Sequence, residues 1–230
     1  MHAGSAVTGL FSVVHMELGH EDTHSWTNAA FPAASNDLLL CKVRRVPRDN
    51  PLDEDQDGMD GVHTNMTNTR NAPAEVIEIA YPLRVERYGL VADSEGPGKA
   101  RGGMGMTREI TILDHEATIT LGTERRALRP WGLCGGGPAG SSDCRIVEPT
   151  GEEKALPTKV TIQVEPGTKV VLKTAGGGGY GPPAARAPEE VLRDVEQGLV
   201  SLRRAREEYG VAILEHPLRI DEKETKRLRK

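Results

Sequence analysis

Hydrophobic and polar residues alternate in several short segments between Leu83 and Lys173. Alternation with a period of two, combined with Val, Ile and Thr, is typical of strands that bury one face. The pattern predicts six strands, at Leu83 to Val91, Thr107 to Leu113, Ala117 to Leu121, Arg145 to Glu148, Lys159 to Val164 and Thr168 to Lys173. Glu165-Pro-Gly167 joins the last two, which we therefore expect to form a hairpin.

Helical signals flank these strands on both sides. Before them, Asn71-Ala72-Pro73 is typical of an N-cap followed by Pro in a first helical turn, and Pro82 ends the element. Two further helices are predicted after the strands. The first begins at Pro188, ends at Gly198 and has Val191, Leu192 and Val195 on one face. The second is capped by Ser201 and ends at Gly210.

The second C-terminal helix carries two pairs of opposite charge. Arg203 and Glu207, and likewise Arg204 and Glu208, stand four residues apart, which predicts a solvated face. We interpret Val211 to Leu214 as a closing strand. Asp221 to Lys230 is either a charged tail or a final helix.

Composition agrees with short strands and many turns. Aromatic residues make up only 3% of the 230 residues, whereas 26 glycines and 15 prolines are present, which disfavours a helical bundle. The predicted fold class is α+β, with β-rich mixed sheets, glycine-rich turns and a C-terminal helical segment. The formal net charge of −5 gives no reason to expect a nucleic acid or an anionic membrane as partner.

The three cysteines, Cys41, Cys134 and Cys144, are spaced neither as a disulfide framework nor as a zinc site. A reducing compartment is their simplest setting. The sequence also shows no apolar run of membrane-spanning length, and we expect a cytoplasmic protein.

One stretch stands out for its chemistry. From His63 to Asn71 the chain has one His, one Arg, three Thr and three Asn, interrupted only by Met66. So many donors and acceptors are buried only where each finds a partner, so the stretch either lies in water or lines a polar site. Its position directly before a helix start favours a site, because free backbone N–H groups there attract anions.

This stretch and several later blocks resemble the C-terminal half of the hydantoinase B/oxoprolinase family. The blocks occur in one order between His63 and Val211, which is more specific than any single motif. They are His63-Thr-Asn-Met-Thr-Asn-Thr-Arg-Asn-Ala-Pro-Ala-Glu75, Tyr81-Pro-Leu-Arg-Val-Glu-Arg-Tyr88, Asp93-Ser-Glu-Gly-Pro-Gly-Lys-Ala-Arg-Gly-Gly-Met-Gly105, Glu124-Arg-Arg126, Pro130-Trp-Gly-Leu133, Gly176-Gly-Gly-Gly-Tyr-Gly-Pro182 and Tyr209-Gly-Val211.

The resemblance implies a subunit or fragment of an ATP-dependent hydrolase that cleaves a C–N bond of cyclic amides such as N-methylhydantoin or 5-oxoproline. ATP would be used by a separate hydantoinase A-type subunit, so we expect a hetero-oligomer and no cofactor bound by this chain. Two alternatives remain open, a subunit of a related ATP-dependent ketone carboxylase and a non-catalytic assembly module.

In this interpretation His63 and Glu75 are the catalytic candidates, because an imidazole transfers protons near neutral pH and a carboxylate can act as a base or orient it. Arg101 and Arg125 are added because they lie beside glycine-rich or turn segments, where a guanidinium binds a carboxylate or phosphate; the alternative is that both are ordinary surface arginines. The substrate-binding candidates are Asn65, Thr67, Asn68, Thr69, Arg70, Asn71, Arg101 and Arg125.

The resemblance does not reach the N-terminal region. We divide the chain into two parts. Residues 1–52 are an atypical leader, for which poor order is one interpretation, and residues 53–230 are the C-terminal domain that resembles the family. In the leader, His20-Glu21-x-x-His24 matches the zinc-protease pattern, but the surrounding residues disfavour the helix that it needs. We favour a solvated polar segment over a metal site there, and the resemblance assigns no metal ligand to this chain.

Three further motifs match binding sites only in part. Asp53-x-Asp55-x-Asp57-Gly58 opens like an EF-hand, but Thr64 stands where calcium needs a carboxylate, so we interpret it as an acidic surface loop. Gly98-Lys99 lacks the rest of a P-loop, and Gly176-x-Gly178-x-x-Gly181 is followed by two prolines where a helix would have to begin. The glycine clusters therefore allow positive φ or close backbone approach, either for packing alone or to line a site.

Overall fold

The computed structural model describes residues 13–18, 57–58, 60–61, 73–123 and 125–230. The strands are β1 (Val13–Leu18), β2 (Leu83–Leu90), β3 (Met106–Ile112), β4 (Ala117–Gly122), β5 (Asp143–Val147), β6 (Glu153–Ala155), β7 (Lys159–Val164), β8 (Lys169–Lys173), β9 (Ile213–Glu215) and β10 (Leu218–Ile220). The helices are α1 (Ala74–Ala80), α2 (Pro188–Glu196), α3 (Leu202–Glu207) and α4 (Glu222–Leu228), with a 3-10 turn at Pro183–Ala185.

The strands form two main antiparallel sheets and one small hairpin. The larger sheet has the order β2-β3-β8-β5-β6, the smaller has the order β1-β4-β7, and β9 pairs with β10. Strand β1 comes from the segment that we interpret as a leader, and it pairs with β4 at all six positions from Val13 to Leu18. The predicted α+β class, with antiparallel sheets and C-terminal helices, is confirmed.

The main hydrophobic core gathers side chains from both sheets. Ile110 and Ile112 of β3 and Val170 and Leu172 of β8 belong to the same buried cluster as Ile119 of β4. The cluster also includes Leu121, Cys144, Ile146, Val164 and Ile77 of α1. The two sheets therefore pack face to face, because burying their apolar faces against each other removes both from water.

All six predicted strands are present, but the predicted hairpin between the last two is wrong. Strand β7 pairs with β4 in the smaller sheet, whereas β8 pairs with β3 and β5 in the larger one. The connection through Gly167, which has φ +84°, carries the chain from one sheet to the other. Alternation indicates which face of a strand is buried, but not which strand lies beside it.

Helix α1 begins slightly later than predicted. Pro73 occupies the N-cap position instead of the first turn, and the predicted cap Asn71 lies outside the described residues. The helix ends where Tyr81 N–H donates to Ile77 O at 2.9 Å, directly before Pro82. Only Ile77 of its seven residues is buried, so α1 covers the edge of the core with a single side chain.

The C-terminal helices form a second, smaller core. Val191 of α2, Ala205 of α3 and Tyr209 are fully buried together with Met104, which comes from the glycine-rich region. The predicted cap is confirmed, since the Ser201 hydroxyl accepts from Arg204 N–H at 3.1 Å, and Gly198 and Gly210 both have positive φ. Residues 222–228 form the final helix, the second of the two predicted options. Within the described part of the chain, no helix has the length and apolar character needed to cross a membrane.

Three glycine-rich segments, residues 94–105, 131–140 and 175–182, form what we call the glycine layer. Their backbones hydrogen bond to one another: Gly96 N–H donates to Gly177 O at 2.7 Å and Leu133 N–H to Gly179 O at 2.9 Å. A Cβ atom on Gly102 would lie 1.8 Å from Gly177 O, and one on Gly178 would lie 1.9 Å from Trp131 O. The close backbone approach expected of these clusters is confirmed, and it leaves no room for a side chain at Gly102 or Gly178.

We predict that Gly102→Ala lowers the free energy of unfolding by about 3 kcal/mol or more, because a backbone contact of this kind cannot be relieved by moving a flexible side chain. Urea unfolding of the full chain measures the loss. Gly89→Ala is the matched control, since an added Cβ there meets nothing within 4 Å, and it should leave stability unchanged or raise it by up to about 1 kcal/mol. Equal stability of the two variants would contradict the proposed packing.

Candidate functional site

Most of the candidate residues, from His63 to Asn71, lie outside the described residues. Of the three that are described, Glu75 is exposed in the first turn of α1. Arg101 is buried in a cluster of charges, and Arg125 lies beside the exposed Trp131. These three side chains therefore occupy three different local environments.

Both flanks of the polar stretch are described and anchored. Before it, Gly58 N–H donates to Arg101 O at 2.8 Å and Gly61 N–H donates to Met104 O at 3.2 Å. A Cβ on Gly58 would lie 2.4 Å from Gly103 N, so this segment presses directly on the glycine layer. After the stretch, α1 begins and packs Ile77 into the main core. The described residues on either side of the stretch therefore belong to the folded domain.

The first of these anchors depends on a cluster of two buried arginines, one buried aspartate and two partly buried aspartates. Arg186 binds Asp57 through two hydrogen bonds of 2.6 and 2.7 Å, and binds Asp194 at 2.8 Å. Arg101 binds both carboxylate oxygens of Asp60 at 2.8 and 3.1 Å and binds Asp194 at 3.2 Å. Asp194 therefore lies between the two guanidiniums, and Asp57 and Asp60 are held against them.

Charge pairing keeps the two arginines ionised despite their burial. The side chains of Arg101, Arg186 and Asp194 are only 7%, 3% and 6% exposed. Burial alone lowers the pKa of an arginine, but hydrogen bonds to Asp60 and the charges of Asp194 and Asp57 outweigh it and raise the pKa of Arg101. Asp57 and Asp194 raise the pKa of Arg186 in the same way.

This arrangement bears on two interpretations from the sequence. Of the three aspartates in the predicted acidic loop, the structure describes Asp57, and Arg186 holds its partly exposed side chain against the domain. The Arg101 guanidinium binds aspartates of its own chain, so it has a structural role. Its substrate-binding role stays a prediction. Asp194 was not identified from the sequence as a member of a charged cluster. It lies three residues after Val191 on the buried face of α2, and a buried carboxylate there needs a positively charged or hydrogen-bonding partner.

A second buried pair lies next to this cluster. The Glu95 side chain is fully buried, and its Oε1 accepts from Arg204 Nε at 2.7 Å and from Tyr209 O–H at 3.2 Å. Arg204 also donates to the backbone oxygen of Glu95 at 2.6 Å. The predicted solvated pair of Arg204 with Glu208 is therefore wrong, because Arg204 turns inward, whereas the exposed pair of Arg203 with Glu207 is confirmed at 2.6 Å.

The Glu95 carboxylate is fully buried, and its contacts offset only part of the cost of burying its negative charge. Burial raises the pKa of Glu95, while the charge of Arg204 and its hydrogen bond act in the opposite direction and only partly offset it. Its second oxygen has no hydrogen-bond partner among the described residues. Burial also raises the pKa of Tyr209, which stays protonated and donates to this carboxylate.

Histidines and cysteines form no metal site in the part of the chain that the structure describes. His20 and His24 lie outside the described residues, and among the residues that are described no group of three His, Cys, Asp or Glu is placed to hold a metal ion. Cys134 is exposed and Cys144 is buried, and both are free thiols.

We predict that Asp194→Asn destabilises the protein by about 3 to 5 kcal/mol, because it leaves two buried guanidiniums with too little negative charge. Urea unfolding at neutral pH measures this. Glu207→Gln is the matched control, as it removes one carboxylate charge from an exposed pair and should cost at most about 1 kcal/mol. Similar losses in both variants would show that burial of the cluster does not matter.

We predict a pH effect from Glu95. Because its pKa is raised above the ordinary value of 4.5, the folded state favours the protonated form, so this group's contribution is fully present below pH 4.5 and is lost as pH rises through the folded pKa. Urea midpoints measured from pH 4 to 8 for the protein and for Glu95→Gln should therefore differ in slope, with the variant gaining relative stability as pH rises. Parallel profiles would refute the raised pKa.

With this geometry in place, known proteins give a consistent family assignment. Residues 50–183 match the sequence profile of Hydantoinase B/oxoprolinase. The chain is 41% identical over 178 residues to the B-type component of a putative D-/L-hydantoinase of Pseudomonas sp. (strain NS671), a match that covers 76% of this chain and 30% of that protein. It is 38% identical over 149 residues to the beta component of the caprolactamase of Pseudomonas jessenii, covering 60% of this chain and 25% of the relative.

The fold is shared with a solved structure as well. A nucleotide-free acetone carboxylase superposes with a TM-score of 0.70 at 20% identity, over 95% of this chain and 32% of that one. In each comparison the chain spans less than a third of the other protein's length. The profile match over more than half of the residues, supported by these relatives, shows that the chain belongs to the hydantoinase B/oxoprolinase family.

Proposed function

We propose that this chain is a subunit, or a fragment of a subunit, of the hydantoinase B type that hydrolyses a C–N bond of small cyclic amides in an ATP-dependent complex. The observation that carries the proposal is sequence identity of 38% to 41% to two relatives whose names describe a hydantoinase and a caprolactamase. Both names describe the hydrolysis of a cyclic amide. Similarity at this level is stronger support than a shared fold, which is all that links the chain to acetone carboxylase.

The residues from His63 to Asn71, with Glu75 directly after them, are the proposed substrate site. His63 would transfer a proton, with Glu75 as second base or as the group that orients it. Asn65, Thr67, Asn68, Thr69 and Asn71 would orient the ring carbonyls, and Arg70 would balance negative charge. The nearest described residues before this stretch, Gly58 and Gly61, hydrogen bond to the folded domain, and α1 packs Ile77 into the main core after it.

The energy source and the partner follow from the same proposal. The sequence has no P-loop, so a hydantoinase A-type subunit would use ATP and present the activated substrate. The complex is then a hetero-oligomer in which this chain binds no cofactor of its own. Arg101 and Arg125 keep their place among the proposed anion-binding residues, with Arg125 the better exposed of the two.

A second candidate function, an assembly module without catalysis, is favoured by one specific observation. The chain spans only 30% of the hydantoinase relative and 25% of the caprolactamase relative, so groups needed for turnover can lie in the remainder. In that case the chain would bind the A-type subunit without completing an active site.

Co-expression of the full chain with a hydantoinase A-type subunit from the same source tests the proposal. The purified complex should hydrolyse at least one of N-methylhydantoin, 5-oxoproline and caprolactam with ATP consumption. His63→Gln should lower kcat at least about 100-fold, the usual contribution of a proton-transfer group.

Arg70→Ala should reduce turnover as well, and Arg219→Ala is its matched control, since Arg219 is exposed on β10 and far in sequence from the proposed site. Stable association without turnover would favour the assembly module. Full activity of His63→Gln would remove the proposed catalytic role.

A further inference from the structure

Residues 125–142 form a closed loop, here called the Trp131 loop, which contains the middle segment of the glycine layer, residues 131–140. Ser142 N–H donates to Arg125 O at 3.1 Å, which closes its base, and Ala139 N–H donates to Pro130 O at 2.9 Å. A Cβ on Gly178 would lie 1.9 Å from Trp131 O, so the backbone of Trp131 is seated directly on the layer. The loop is therefore held in one conformation by backbone contacts.

Two residues of this loop have unfavourable backbone angles. Arg125 has φ +62° and Cys134 has φ +51°, and they are two of the three residues other than glycine with positive φ in the described part of the chain. Residues with side chains rarely adopt this region, and they remain there only where the surrounding structure holds them. Strain of this kind is concentrated where a surface has a function.

The loop exposes large apolar side chains. Leu128 is 78% exposed, Trp131 is 46% exposed and Leu133 is 37% exposed. The Arg125 guanidinium lies over the Trp131 ring at 5.8 Å from its centroid, which restricts the orientation of the ring. These three apolar side chains are exposed to water, so covering them with a second surface would lower the free energy.

The charge of the loop points to the kind of surface that covers it. Residues 125–142 include Arg125, Arg126 and Arg129 and no Asp or Glu, although the whole chain has a net charge of −5. Arg126 lies 3.7 Å from Asp143 at the start of β5, whereas Arg129, which follows Leu128 in the sequence, is exposed. Tryptophan and arginine are also the residues that contribute most at the centres of protein interfaces.

We propose that the Trp131 loop is a docking surface for a protein partner whose matching face carries carboxylates around an apolar pocket. Trp131 and Leu128 fill the pocket, and Arg129 pairs with its acidic rim. The loop is already ordered, so little conformational entropy is lost on binding. Together with the proposed function, on which this step rests, the partner is the A-type subunit.

Binding of the full chain to the purified A-type subunit, measured by biolayer interferometry at low and high salt, tests the surface. Trp131→Ala should raise Kd at least about 30-fold, as expected for an interface centre. Arg129→Glu should slow association most strongly at low salt, because rim charges mainly steer encounter. Arg219→Glu, which reverses an exposed charge on β10, is the matched control and should leave Kd unchanged.

Both loop side chains are exposed, so the variants should match the unaltered protein in urea midpoint, which separates lost binding from lost folding. Unchanged Kd for Trp131→Ala and Arg129→Glu, or an equal loss in Arg219→Glu, would overturn the docking surface. If the substitutions weaken self-association of the chain and leave binding to the A-type subunit unchanged, the surface binds a second copy of the chain and the proposed acidic partner is wrong.

The same experiment separates this inference from the proposed function. A complex that depends on Trp131 but turns over no cyclic amide defeats the proposed function and leaves the docking surface standing. An active complex that ignores both loop substitutions defeats the docking surface alone. No association of the unaltered chain with the A-type subunit defeats both.

Discussion

Direct contact between glycine backbones is the constraint on which the rest of this structure depends. A Cβ on Gly102, Gly176 or Gly178 would lie within 2.0 Å of a backbone oxygen of another segment, so the three segments of the layer approach more closely than any side chain permits. Their N–H groups are used by one another, for example Gly179 donating to Gly137 O at 3.0 Å. Such a layer has almost no side-chain rotamers to rearrange, which makes it a rigid base for what is attached to it.

The glycine layer explains why charged side chains are buried beside it. Glycines bury little apolar surface, so the contact between the layer and helix α2 cannot rely on hydrophobic packing alone. Arg101, which lies within the layer, reaches Asp194 of α2, and Arg186 binds both Asp194 and Asp57. Directional charge pairing fixes the relative position of these parts with a precision that a loose apolar contact would not give, although desolvation offsets much of its energy.

Local patterns predicted the elements of this fold, but not their partners. Alternation and β-branched residues located all six predicted strands, yet β7 and β8 joined different sheets, since neither signal reports which strands pair. The same limit applies to the site. Asp57 and Arg186 are 129 residues apart, and Arg204 and Glu95 are 109 apart, so no spacing within a helix or loop could reveal them. Asp194 beside Val191 indicated only that a buried cation was needed.

The glycine layer also relates the two surfaces to which function is assigned. Gly58, which precedes the polar stretch that begins at His63, packs on Gly102 and Gly103, and Trp131 is seated through its backbone on Gly178. Gly102 in turn packs on Gly177, so the anchor of the polar stretch and the anchor of the Trp131 loop are joined through a short series of backbone contacts. Because backbone contacts between glycines have no alternative packing, a partner bound at the loop would be held at a fixed position relative to the flank of the stretch. A substrate activated on one protein and cleaved on another requires a fixed relation of this kind, since misplacement by about 1 Å can cost 100-fold in rate.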